Sequence, residues 1–148
     1  MMKQIFFLHG LPRAGNTLLS SILNQNPNIA VTANSICPEM IYMLKLAKED
    51  GVFVNFPDHK SFDNVTKSVF KNYYRDWKQD YIIDRAPWGL NINLDNLKEI
   101  QDNIKIIVLV RDIEEVLASF IKFTNKQPNS RFNNIAYSIE HKCDILLN

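Results

Sequence analysis

The sequence predicts an α/β domain in which a central parallel sheet of about four strands is flanked by helices. Two observations carry that reading. Residues 5–8 and 104–110 are short, nearly continuous apolar runs bounded by turn or helix-start signals, as strands buried on both faces of a parallel sheet are. The stretches between them keep returning to helical spacing, so strand and helix alternate and right-handed crossovers follow.

The elements follow in order. Residues 29–32 and 81–83 supply two weaker strands, each followed by polar or turn-forming residues. From Thr17 to Gln25, the side chains Leu18, Leu19, Ile22 and Leu23 form one stripe, and Pro27 stops it. Pro38 suits a first helical position, with Met40, Ile41, Met43, Leu44 and Ala47 at helical spacing behind it. Ser61 is placed to cap a helix carrying Phe62, Val65, Val69, Tyr73 and Trp77, and residues 95–101 give a short one. Asp112 and Glu115 make a capping-box-like pair ahead of Val116, Leu117, Phe120 and Ile121. A final helix is expected at 135–147, with loops at 51–60 and 127–134.

Composition bounds the function. A chain of 148 residues, 46% hydrophobic, suits one domain over 1–148. Seventeen basic against sixteen acidic residues leave a net charge of +1, which gives no global field to recruit a nucleic acid and leaves room for a small anion held locally. Cys37 and Cys143 cannot build a disulfide scaffold or a four-ligand zinc site, so no metal is expected and a reducing, cytoplasmic compartment fits. No run has the length of a membrane span, and the apolar stretch at 5–8 is too short for a signal sequence.

The loop after the first strand is the most informative segment. Gly10-Leu11-Pro12-Arg13-Ala14-Gly15-Asn16-Thr17 has the frame G-x-x-x-x-G-x-T, with Asn16 where a nucleotide-hydrolysing P-loop has lysine. Glycines let successive N–H groups converge on an anion at the positive end of the following helix. Arg13 is the cation near enough to replace the missing lysine. A second anion site is suggested by Arg111, which ends a buried strand where open parallel sheets bind ligands. Ser119, seven residues beyond Asp112, returns to nearly the azimuth of the helix start.

These residues carry a resemblance. The segment from Phe6 to Leu19 resembles the 5′-phosphosulfate-binding loop of the sulfotransferase family in its P-R-x-G-x-T-L form. The segment from Ile107 to Phe120 resembles that family's 3′-phosphate-binding strand and helix, with Arg111 and Ser119 at the contact positions. Residues 83–89, with Asp84, Arg85 and Trp88, resemble the strand end where related enzymes carry a basic residue near the transferred group.

The resemblance implies a P-loop NTPase-like three-layer fold. It also implies a donor, 3′-phosphoadenosine 5′-phosphosulfate, whose sulfuryl group passes to a hydroxyl or amine. Arg13, Ala14, Gly15, Asn16 and Thr17 would bind the 5′-phosphosulfate and Arg111 and Ser119 the 3′-phosphate, while Arg13 and Arg85 steady the transferring and leaving groups. Glu39 and Asp84 are the candidates for the base; Glu39 otherwise favours a helix N-terminus, and Arg85 otherwise pairs with an acid. His9 is a further candidate base, or a structural histidine at a strand end. Trp88 floors an acceptor pocket, stacks on adenine or packs in the core. Family members continue into a further strand and a basic closing segment, which this chain is expected to lack. A homo-oligomer stays open. Two other readings fit the residues: a P-loop kinase-like enzyme, opposed by Asn16, and a non-catalytic nucleotide-binding module.

Overall fold

The computed structural model describes residues 3–126, so the loop expected at 127–134 and the helix expected at 135–147 lie outside the described residues. The chain divides into two compact units. One comprises the chain up to Gly10 together with Gly15–Leu109; the other comprises Leu11–Ala14 together with the chain from Val110 onward.

In the first unit, β1 (Gln4–Gly10), β2 (Ile29–Val31), β3 (Tyr81–Arg85) and β4 (Ile106–Leu109) form one sheet in the order β2-β3-β1-β4. All its pairings are parallel, with Phe7 opposite Asp84 and Leu8 opposite Arg85. The helices are α1 (Asn16–Leu23), α2 (Cys37–Ala47), α3 (Gly51–Asn55), α4 (His59–Lys67), α5 (Val69–Tyr73) and α6 (Asn91–Ile100). The second unit contains α7 (Ile113–Lys126).

Alternation along the strands sorts side chains between two faces. Phe7 and Ile82 join Cys37 and Ile41 of α2, Val69 and Phe70 of α5 and Leu97 of α6 in the main core, with Trp88 and Tyr74. Leu8, Val31 and Ile83 face the other way, against Leu19 and Leu23 of α1. The sheet is therefore packed on both faces across β1, β2 and β3, as in a three-layer α/β architecture, while β4, expected to be buried on both faces, is an edge strand among the described residues and leaves Ile107 and Val108 exposed. Phe7 touches Phe70 and Trp88 edge-on, each with ring centroids 5.2 Å apart, so the middle of β1 is held by aromatic packing.

The structure corrects the reading between α2 and β3. Residues 51–60 are not simply a loop: Asp50 accepts from the Val52 N–H at 2.8 Å and starts α3, whose Phe53 packs its ring edge-on against His59 and Phe62. Asp58, not Ser61, caps the next helix, accepting from the Ser61 N–H at 3.0 Å. The single helix expected from Ser61 to Trp77 is two, interrupted at Ser68, whose N–H bonds back to both Asn64 and Val65. α6 begins at Asn91, one turn earlier than its polar first residues suggest. The capping box after β4 is half formed. Asp112 accepts from the N–H groups of Glu114 and Glu115, whereas the Glu115 carboxylate turns to Arg111.

Candidate functional site

The first unit holds both ends of the glycine loop. Gly15 sits at the N-cap of α1 with φ 107°, a left-handed conformation that strains any L side chain. It offers no side-chain cap and the first turn of α1 has no acidic residue. First-turn N–H groups have no intrahelical acceptor, so this helix start presents partial positive charge. Asn16, where a P-loop lysine would stand, donates from Nδ2 to the Gly10 carbonyl at 3.0 Å and ties the helix start to the end of β1. A Cβ on Gly10 would lie 2.3 Å from Asn16 Oδ1, so that tie needs the glycine. Thr17 is exposed, and its carbonyl accepts from Ser21 Oγ.

The second unit joins the other anion-site candidates directly. Arg13, also left-handed at φ 68°, donates from Nε to Ser119 Oγ at 3.1 Å, and its guanidinium lies 5.1 Å from the Phe123 ring centroid. Arg111 donates from one terminal nitrogen to the Arg13 carbonyl at 3.0 Å and from Nε to Glu115 at 2.7 Å. Arg111 thus fixes the backbone of Arg13, whose side chain in turn meets Ser119. Ala14 is buried and donates its N–H to the Leu11 carbonyl.

The remaining candidates lie in the first unit. Asp84 is fully buried on the Trp88 side of the sheet. Its Oδ2 accepts from Ser35 Oγ at 2.8 Å and Tyr74 OH at 2.6 Å, and its Oδ1 from Trp88 Nε1 at 3.0 Å. Burial pushes its carboxyl above the usual range, against the pull of those donors. The same surroundings push the Cys37 thiol up to about 12 and the Tyr74 phenol upward as well.

Arg85, one residue on, points to the α1 face of the sheet and makes no ion pair among the described residues. Its backbone N–H is held by Thr32 Oγ1 at 2.7 Å. Glu39 stands exposed in the first turn of α2. His9 is partly buried with Nδ1 unsatisfied, its ring filling the space where a Cβ on Gly89 would go, and burial lowers its pKa. Trp88 is a core residue.

The family model described as the sulfotransferase family matches residues 5–145. The chain belongs to the sulfotransferase family. No curated protein matches it closely enough to be compared. Membership makes the chain a transferase and supports sulfotransferase activity, with a small-molecule donor and acceptor. Among the described residues no helix is long and apolar enough to cross a membrane, and no group of three or more His, Cys, Asp or Glu is placed to hold a metal.

Three features of this sulfotransferase escaped the sequence: the tie from Asn16 to Gly10, the ring of Phe123 beside Arg13, and the donors around Asp84. An Asn six residues beyond a glycine is a faint signal for the first. Phe123 and Ser35 lie far along the chain from Arg13 and Asp84 and leave no local mark, whereas Trp88 is only four residues from Asp84, near enough for that bond to leave a local signal.

Proposed function

We propose that the chain transfers a sulfuryl group from 3′-phosphoadenosine 5′-phosphosulfate to a hydroxyl or amine, as one nucleotide-binding domain. The observation that carries this reading is the start of α1: an uncapped helix N-terminus behind a glycine turn, with the P-loop lysine replaced by an asparagine that bonds to Gly10 instead. Such a start suits a sulfate or phosphate oxyanion and lacks the cation that reaches the terminal phosphates of ATP.

In this reading Arg13, Ala14, Gly15, Asn16 and Thr17 bind the 5′-phosphosulfate, and Arg111 and Ser119 bind the 3′-phosphate. The acceptor oxygen or nitrogen attacks sulfur in line, the bond from sulfur to the bridging phosphate oxygen breaks, and 3′-phosphoadenosine 5′-phosphate leaves. Arg13 neutralises charge on the leaving phosphate, and Arg85 steadies the sulfuryl oxygens. Of the two carboxylates, exposed Glu39 takes the acceptor proton. Asp84, buried under Trp88, keeps the end of β3 in place and so positions Arg85.

Calorimetry with 3′-phosphoadenosine 5′-phosphate against ATP tests the donor. Tight binding of the bisphosphate and weak binding of ATP is the expected result. Equal affinities, or preference for ATP, would point to a kinase-like enzyme.

A further inference from the structure

The first unit has a second concave feature, where β1 begins and where the chain leads into β4. It is a groove of about 630 Å³ lined by Lys3, Lys67, Lys71, Arg75 and Lys105, and none of its lining residues is acidic. Such a volume suits a small molecule. Elsewhere in this unit Lys45 pairs with Glu99, Lys48 with Asp63 and Lys98 with Asp95, while Lys60 and Lys78 make no ion pair among the described residues. Among the described residues the one ion pair of the groove's cations is Arg75 with Asp76, at 3.5 Å between two largely exposed side chains, and Lys67 also feels the charge of Asp63. In a chain whose net charge is only +1, five cations share one concavity without a carboxylate in its wall. They repel one another unless an anion lies among them.

The lining sorts by role. Lys3 is held in place, donating to the carbonyls of Trp77 and Gln79, and Lys105 lies over the Phe6 ring at 5.3 Å. Lys67 ends α4, Lys71 lies in α5 and Arg75 stands just past it, and all three line the groove. Between the cations stand the amides of Gln4, Gln101 and Asn103, which can donate to and accept from hydroxyls, and the apolar walls of Ile5 and Phe6.

We propose that this groove binds a compact polyanion, a hydroxylated carbon body bearing two or more sulfate or phosphate esters. Several separated cations select several tetrahedral oxyanions, the amides select hydroxyls, and the apolar wall takes the ring. The near-zero net charge and the enclosure within one groove disfavour a long nucleic acid, which needs an extended basic track. The groove shares no residue with those proposed for the donor.

Calorimetry at physiological salt with sucrose octasulfate and with inositol hexakisphosphate, against sucrose and inositol, tests it on the full chain. Binding of either polyanion supports the proposal, and the tighter of the two identifies sulfate or phosphate esters as its source. Lys67→Gln with Lys71→Gln should weaken that binding about tenfold or more, the loss expected when charge-assisted contacts are removed. Lys60→Gln with Lys122→Gln removes the same charge elsewhere and should leave affinity within about twofold. Arg13→Ala should leave it unchanged too, which separates this groove from the proposed donor site. Failure of both polyanions to bind, equal losses in the two double variants, a loss in Arg13→Ala, or tighter binding of a single-stranded oligonucleotide would each overturn it.

Discussion

Arg13 donates a hydrogen bond from Nε to the hydroxyl of Ser119 at 3.1 Å, joining positions 106 residues apart in the chain. The proposed function assigns the two residues to different phosphates of one donor. The hydroxyl that receives Arg13 is then also the group that donates to the 3′-phosphate. Losing it removes a charge-assisted hydrogen bond to the nucleotide, a cost of about 1.5–3 kcal/mol in binding. A nucleotide without the 3′-phosphate never makes that contact. Ser119→Ala also releases Arg13, a loss common to both nucleotides, so it should weaken binding of 3′-phosphoadenosine 5′-phosphate more than that of adenosine 5′-phosphate. Melting temperature should hardly change, because the bond lies among exposed groups. A two-by-two cycle of protein variant against 3′-phosphate measures the coupling, and a value near zero removes Ser119 from the site.

If Arg13 and Arg85 have the roles proposed for them, they should separate binding from turnover. In that reading Arg13 meets the 5′-phosphosulfate in the ground state, so Arg13→Ala should weaken nucleotide binding about tenfold or more. Arg85, in the same reading, acts when charge moves in the transition state. Arg85→Ala should leave nucleotide affinity nearly unchanged and lower kcat about a hundredfold or more, as removal of a transition-state donor does. Affinities and single-turnover rates for both variants decide the assignment. Unchanged affinity in Arg13→Ala counts against it.

The parts of this molecule that were legible in the sequence are those written in local patterns. The apolar runs at 5–8 and 104–110 mark β1 and β4, and the Gly10 to Thr17 frame lies between β1 and α1 as expected. Pro57 and Asp58 are turn-forming residue types, which is why 51–60 reads as a loop in the sequence. In the structure Pro57 only separates two helices, and Asp58 caps the second of them. The candidate site is written in the sequence as residue types, not as partnerships. Arg85 beside Asp84 invited an ion pair, yet adjacent strand residues point to opposite faces, so one meets Trp88 and the other faces the α1 side. Asn16 was legible as a missing lysine, while its bond to Gly10 depends on a loop conformation that no spacing rule supplies.

His9 and Gly89 make a tight pair, since a Cβ on Gly89 would lie 2.2 Å from the His9 ring. Gly89→Ala should push the imidazole out of its partly buried place. Burial is the main cause of its lowered pKa, so the variant's His9 should titrate closer to the unperturbed value of about 6.5. In the wild type the folded form prefers neutral His9. Its contribution to stability is present above that unperturbed value and fades as pH falls through the folded pKa. The displacement should also cost about 1–3 kcal/mol of stability, as overpacking does. An NMR titration of the imidazole in both proteins is the check, and an unmoved pKa would mean that the backbone at Gly89 yields instead.

Asp84 should govern stability through the donors it satisfies. Asp84→Ala would leave Ser35, Tyr74 and Trp88 without their carboxylate acceptor, at about 1–3 kcal/mol for each buried donor left unmet. These costs overlap, because the hydroxyls of Ser35 and Tyr74 lie 3.4 Å apart and can partly serve each other. Asp84→Asn should cost less. Its oxygen can take the place of Oδ2 and keep both hydroxyls, and Trp88 Nε1 retains the Asp84 backbone carbonyl at 3.2 Å. The pH dependence gives an independent reading. Burial raises the carboxyl pKa of folded Asp84, so the folded chain holds this proton more tightly than the unfolded chain does. Its contribution is complete below the ordinary carboxylate value of about 3.9 and is lost as pH rises through the folded pKa. Exposed Asp58 and Asp63, whose hydrogen bonds lower their pKa values, push the other way. They are common to wild type and Asp84→Asn, so the difference between the two proteins isolates Asp84. Denaturant midpoints measured from pH 4 upward should fall for the wild type relative to Asp84→Asn. Parallel profiles would mean that Asp84 holds its proton equally in the folded and unfolded chains.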